Sequence, residues 1–413
     1  MNGFSSRFRA LLLSTALLAV HAWAQPSLDD FRSPEAPCHD RSRGPQTAVV
    51  DTHVHFRPFG GPAVSFEDMV DFLDRSGVRF ANVYGIGQML PVGSPCTYYL
   101  DCPGEPVLPT LKNDFVNAAN FASARPENVH LTLSMTFPDL ARPESVLARM
   151  ELLDREFPGV FGWMGEVNLV KQALFANAHR AVPLEAIAAW APFMKRLRER
   201  NIPFAVHSDL GRDGQPLHYL PWIEEVLRLY PHNPIVWMHL GLSRELTRIN
   251  PGVHLGVLRR LLDRYPALMV DISWRVIHDN VFSRPELRAA YLPFIEEYSA
   301  RILPGSDFLA SADKNFDVYS EELRVTSEIL ADLSDEAFRN IALGENYFRL
   351  LGLGYSAPEI CPAGPSSSAQ PETSDAKASR LPSVNEGVSP SRGAGRPPLP
   401  GLALARANHA SAR

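Results

Sequence analysis

The sequence has no basic excess, no nucleotide-binding glycine loop and few cysteines, and each absence removes a class of function. Its 40 Lys and Arg against 46 Asp and Glu give a formal charge of −6. Residues 1–24 carry +2 and residues 364–413 carry +3, which leaves −11 for the part between. That field repels a polyphosphate backbone and argues against DNA or RNA as partner, while it suits a site that concentrates cations. No GxGxxG or GxxxxGK(S/T) follows the first candidate strand, so the sequence lacks the signature of a dinucleotide or P-loop sheet. After residue 24 no segment is apolar enough for stable membrane insertion. The four cysteines include no CxxC pair, the spacing of zinc and thiol-redox sites, and are therefore read as structural. What remains, 45% hydrophobic and 21% charged, is the composition of a core-forming, enzyme-sized chain.

Arg7 and Arg9 precede an apolar run over 10–20 and the small-x-small triplet Ala22-Trp23-Ala24. This is the pattern of a signal peptide over 1–24, cleaved after Ala24, and it implies a periplasmic or secreted protein. Thiols in an exported chain tend to pair. Of the three connectivities four cysteines allow, the favoured one joins Cys96 to Cys102 around a short Pro- and Gly-containing loop and Cys38 to Cys361 across the two ends of the regular region. Residues 25–47 read as an extended, Pro-rich lead-in. Residues 364–413, rich in Pro, Ser, Gly and Ala, cannot bury enough apolar surface to offset their ordering entropy and read as a disordered tail.

Between these ends, over 48–363, β-branched or aromatic runs alternate with longer amphipathic stretches. The runs fall at 48–51, 80–84, 129–136, 160–167, 203–207, 235–239, 268–272 and 301–305. Helical stretches fall at 66–76, 113–124, 145–157, 184–200, 217–229, 253–265, 285–299 and 319–330. Eight of each predicts an α/β fold, a single-domain (β/α)8 TIM-type barrel. Residues 88–111 read as an excursion over the barrel mouth.

In such a barrel the chemistry gathers where strands end. The first strand leads into Asp51-Thr52-His53-Val54-His55, where a period of two turns His53 and His55 to one side as a metal face. Glu166 follows an apolar run in the fourth strand, His207 ends the fifth, His239 ends the sixth, and Asp307 follows Pro304-Gly305-Ser306 after the eighth. Singly, each has a plainer reading: a hydrogen-bonded core histidine, Asp307 as a helix cap, Glu166 paired with Lys171 or an arginine. Jointly, four histidines and two carboxylates at the ends of five strands point to bound metal. His130, His179, His218, His232 and His254 share no such position, and His278 is at best a substrate contact.

The ordered series, with Gly165-Glu166, Gly305-Ser306-Asp307 and the closing Gly344-Glu345-Asn346-Tyr347-Phe348-Arg349-Leu350-Leu351, resembles the amidohydrolase superfamily, in its branch of metal-dependent hydrolases and decarboxylases. The resemblance spans about residues 49–353. It implies His53 and His55 as ligands of a more buried metal completed by Asp307. It places Glu166 where relatives carry a bridging ligand or a residue that binds no metal. His207 would be a ligand, and His239 either a ligand of a second metal or an unligated catalytic residue. One or two divalent ions are implied, zinc first and manganese second. Such an ion brings the ionisation of bound water to about pH 7. Asp307 would move the proton and His239 would polarise a carbonyl, so the implied reaction is cleavage of an amide, lactone or ester in a small-molecule substrate. Lys171, taken as a loop residue, and Arg275 are the candidate substrate-binding cations. The alternatives are a mononuclear decarboxylase and a catalytically inactive binding barrel. Met89, Tyr98 and Tyr99 hint at an aromatic substrate, and relatives often pair, which is compatible with a homodimer.

Overall fold

A computed structural model describes residues 26–32, 36–42 and 48–362. The signal peptide expected over 1–24 and the tail expected over 364–413 lie outside the described residues.

The strands are β1 (Val50–His55), β2 (Phe80–Tyr84), β3 (Gln88–Met89), β4 (Leu108–Pro109), β5 (His130–Met135), β6 (Phe161–Val170), β7 (Phe204–Ser208), β8 (Ile235–Trp237), β9 (Leu268–Asp271), β10 (Ile302–Leu303) and β11 (Phe308–Leu309). Nine form one sheet in the order β10-β9-β8-β7-β6-β5-β2-β1-β11, and every pairing in it is parallel. Short pairings such as Val206↔Trp237 are buried on both faces, as parallel strands under helices must be. The remaining two, β3 and β4, pair antiparallel at the base of the 88–111 excursion.

Helices follow the strands: α1 (Phe66–Arg75), α2 (Lys112–Ser123), α3 (Val146–Glu156), α4 (Ala191–Glu199), α5 (Leu220–Leu229), α6 (Pro251–Arg264), α7 (Arg275–Ile277), α8 (Pro285–Glu297), α9 (Phe316–Ser327), α10 (Asp335–Ile341) and α11 (Glu345–Leu351). Side-chain caps account for several starts: Ser65 accepts from Asp68 N, Asn250 from Val253 N and Asn315 from Val318 N. The long helix expected over 184–200 is two pieces. A 3-10 turn over Leu184–Trp190 gives way to α4, whose second residue, Pro192, has no amide hydrogen for an unbroken ladder. None of the helices among the described residues is long and apolar enough to cross a membrane.

Two sequence expectations shift at the ends of strands. β6 runs past Val167 to Val170, because its pairing with β7 continues to Val170↔Ser208 across two register shifts. The expected last strand is interrupted: Pro304 offers no amide hydrogen, and Asp307 takes a left-handed φ of 56°. The chain on either side still bonds to both neighbours, β10 to β9 and β11 to β1. The lead-in is partly docked, since Leu28–Phe31 forms a 3-10 turn whose Phe31 is buried 5.1 Å from the Phe80 ring. Both expected disulfides are present, Cys38–Cys361 and Cys96–Cys102.

Candidate metal centre

β1 alternates as expected and delivers two imidazoles to one point. His53 and His55 are buried, with their Nε2 atoms 3.1 Å apart. The second nitrogen of each ring is already engaged. His55 Nδ1 donates to the Gly85 carbonyl at 2.7 Å, and His53 Nδ1 donates to Asp271 Oδ2 at 3.0 Å. A carbonyl can only accept, so these outer bonds fix the tautomers and leave the Nε2 lone pairs of the neutral rings facing each other.

Two carboxylates close the same space. Asp307 Oδ1 lies 3.3 Å from His53 Nε2 and 3.2 Å from His55 Nε2. Glu166 Oε2 lies 3.8 and 3.6 Å from the same two nitrogens. All four ligand atoms fall within 4.8 Å of one another. Lone pairs and anionic oxygens converging this closely repel unless a cation or a proton sits among them. The donor set, two imidazoles and two carboxylates, is one that a divalent first-row metal accepts.

Glu166 also faces the other way. Its Oε1 touches His207 Nδ1 in a short contact and lies 3.6 Å from His239 Nε2, so Glu166, His207 and His239 form a second candidate group. His207 Nε2 is held at 2.9 Å by Asp209, and His239 Nδ1 lies 3.3 Å from the Ser273 carbonyl. Each histidine thus has an outer partner that aims its inner nitrogen at Glu166. Lys171 directly follows β6 and turns back, its Nζ 2.9 Å from Glu166 Oε1. The longer β6 explains this placement, since it carries Lys171 to the strand end and into contact with Glu166.

The electrostatics agree with the geometry. Burial works to lower the His53 pKa, but the Asp307 charge and the bonds to Asp271 and Glu166 outweigh it and push it up to about 10. Burial would raise Glu166, yet the Lys171 and His207 charges hold it well below the usual carboxylate range. Asp307 is likewise held down, against burial, by the charge of His53 and the bond to His55. The site therefore keeps its carboxylates ionised and demands positive charge.

Asp271 and Asp209 are participants that sequence reasoning missed. Asp271 ends β9 and holds both His53 Nδ1 and the His239 amide. The strand-end rule that found His207 would also have found it, in Met269-Val270-Asp271. Asp209, two residues beyond His207, carried no comparable signal. A cavity of about 430 Å³ opens beside Asp307, which stands in its wall together with Phe59, Tyr98, Arg244, Trp274 and Arg275. His278 does not line it and instead lies 4.0 Å from Glu328.

The sequence profile of the amidohydrolase family matches residues 134–353, a stretch that contains Glu166, His207, His239 and Asp307. The chain belongs to the amidohydrolase family. His53 and His55 lie before the matched stretch, and it is the fold that brings them to the four family-matched residues. No curated protein matches the chain. Among solved structures it is similar to a putative 2-pyrone-4,6-dicarboxylic acid hydrolase from Pseudomonas putida, at 16% identity over 75% of this chain and 98% of that one, with a TM-score of 0.46. It is also similar to a dihydroorotase from Campylobacter jejuni, at 15% identity over 74% and 84% of the two chains, with a TM-score of 0.44. A zinc-bound amidohydrolase from Burkholderia multivorans gives 13% identity over 74% and 99%, with a TM-score of 0.43.

Proposed function

We propose that this chain is a metal-dependent hydrolase that cleaves an amide, lactone or other ester of a small molecule. The observation that carries the proposal is the pair of tautomer-locked imidazoles, His53 and His55, whose Nε2 atoms converge with Asp307 and Glu166. His53, His55 and Asp307 would hold one divalent ion, and His207 with His239 a second, Glu166 offering one oxygen to each group. Zinc suits this nitrogen and oxygen set best, with manganese next. Such ions, when bound, supply the charge that ionises water near neutrality and polarises a carbonyl.

The protein's own groups do the rest. Asp307 reaches both imidazoles and the cavity, so its ionised carboxylate can accept a proton from water and return it to the leaving group. Asp271 and Asp209 orient His53 and His207, and Lys171 fixes Glu166 and balances its charge. Arg275, expected as a substrate-binding cation, stands at the cavity wall but already lies between Asp279 and Glu322. His239 Nδ1 faces the Ser273 carbonyl, which presents its Nε2 lone pair to a second ion. As an imidazolium, His239 would instead donate to a developing oxyanion.

A second reading, a mononuclear decarboxylase, is favoured by one contact: the Lys171 ammonium already neutralises Glu166 without metal. As for the scaffold, residues 302–309 are proposed as one interrupted eighth strand, which would close the sheet into a (β/α)8 barrel. Export to the periplasm accords with both disulfides.

Elemental analysis of chelator-free protein tests the proposal, beside a His53→Ala/Asp307→Ala variant. About two equivalents of metal, lost in the variant, are expected for the binuclear hydrolase. About one equivalent moves His239 to catalysis and favours the decarboxylase. A folded protein that takes up neither zinc nor manganese excludes both.

A further inference from the structure

We propose that Arg244 receives a carboxylate carried by the substrate, and that the substrate is therefore a small acid with a flat apolar body. The inference deepens the hydrolase reading and rests on it for the place of the reacting carbonyl.

Three cations line the cavity, Arg244, Arg275 and Lys314. Arg275 is already between Asp279 at 3.5 Å and Glu322 at 3.8 Å. Lys314 holds its Nζ 4.7 Å over the Phe308 ring. Arg244 combines an aromatic seat with a planar donor fork, where Lys314 offers only a point charge. Its guanidinium lies 5.2 Å from the Trp274 ring, donates to the Tyr98 hydroxyl at 3.3 Å and also interacts with the Tyr99 hydroxyl. Among the described residues it makes no ion pair with a carboxylate. A guanidinium has five donors in a planar fork that matches a carboxylate, so contacts to the Tyr98 and Tyr99 hydroxyls still leave donors for one.

Trp274 sets the geometry. Its ring lies 5.2 Å from the Arg244 guanidinium and 4.9 Å from the His239 imidazole. Trp274 is held at a φ of 84°, a costly conformation for a tryptophan, and such strain collects at binding sites. One indole therefore contacts both the cation and a candidate metal ligand. A planar acid lying along Trp274, in a cavity that Phe59 and Leu309 also line, would put its carboxylate on Arg244 and a second carbonyl beside Asp307.

The test uses benzoate as the probe and benzamide as its neutral counterpart, titrated calorimetrically into the full chain, first freed of metal by chelator and then loaded with zinc. In the metal-free protein benzoate should bind. Its affinity should fall at least about tenfold in Arg244→Met, which keeps the stem but loses the fork. Arg244→Lys should retain part of the affinity, Tyr98→Phe should lose a few-fold, and Lys314→Met should match wild type. Benzamide should bind all of them alike. Absence of benzoate binding in wild type, equal binding in Arg244→Met, or a loss confined to Lys314→Met overturns the assignment. Zinc uptake separates the two readings. Protein that binds zinc but shows no Arg244-dependent benzoate affinity loses the carboxylate site alone. Protein that binds benzoate through Arg244 but takes up no metal loses the hydrolase reading instead.

Discussion

His254 shows how a buried histidine serves the site without touching it. Its Nε2 donates to the Leu240 carbonyl at 2.9 Å, so its Nδ1 must accept from the Tyr291 hydroxyl at 2.5 Å. Leu240 and His239 both occupy left-handed backbone, at φ 55° and 57°, and His254 steadies that turn from below. Burial lowers its pKa to about 4, more than the Leu240 bond raises it. The unfolded chain, with an ordinary value near 6.5, binds the extra proton between those limits. Stability contributed by His254 is therefore complete above about pH 6.5 and is lost as pH falls towards 4, by roughly 3 kcal/mol. Urea unfolding at pH 7 and pH 4 should show that loss in wild type and a clearly smaller one in His254→Asn; equal losses would remove His254 as the cause.

At the scale of elements, the decisive feature is the break between β10 and β11. A Cβ on Gly305 would stand 2.8 Å from the His53 Cβ and 2.9 Å from the Ser273 Cβ, so only glycine lets this segment pass between β1 and the end of β9. Ser306 then bonds Asp51 through both its amide, at 2.9 Å, and its hydroxyl, at 2.6 Å. The Asp307 amide bonds the His53 carbonyl at 2.7 Å. These contacts place Asp307 beside the two imidazoles of β1. Gly305→Ala should therefore displace His53, costing about 1–3 kcal/mol by overpacking and lowering zinc content below that of wild type. Denaturation together with metal analysis checks both, and full zinc content in a stable variant would show that the segment tolerates the methyl group.

For the whole molecule, the two disulfides differ in reach. Cys38–Cys361 closes 323 residues of sequence separation and ties the docked lead-in to the end of the fold, whereas Cys96–Cys102 closes only 6. Loop-closure entropy makes the longer crosslink worth more, about 4 kcal/mol or above against roughly 2 kcal/mol for the shorter. Paired alanine variants compared by denaturant unfolding should follow that order. The short disulfide sits instead in the excursion whose Tyr98 and Tyr99 pack on Phe59, at ring distances of 6.3 and 4.6 Å. Its removal should therefore show in ligand affinity at the cavity more than in stability.

Local rules made much of this molecule legible in advance. Strand and helix positions follow from hydrophobic periodicity, because burial on both sheet faces leaves a continuous apolar run, and His53 and His55 share a side because a strand alternates. The six candidate ligands were legible because strand ends in such folds gather at one rim. Other features depend on partners far apart in sequence. β6 is extended by its register with β7, and this turns Lys171 onto Glu166. Asp271 is joined to His53 across 218 residues. The state of Arg244 depends on which carboxylates and rings the folded loops bring near it. Periodicity and strand-end position are properties of a short stretch of chain and can be read from the sequence. Tautomers, charge pairing and the free edge of a guanidinium are set by neighbours in space, and only the tertiary structure decides them.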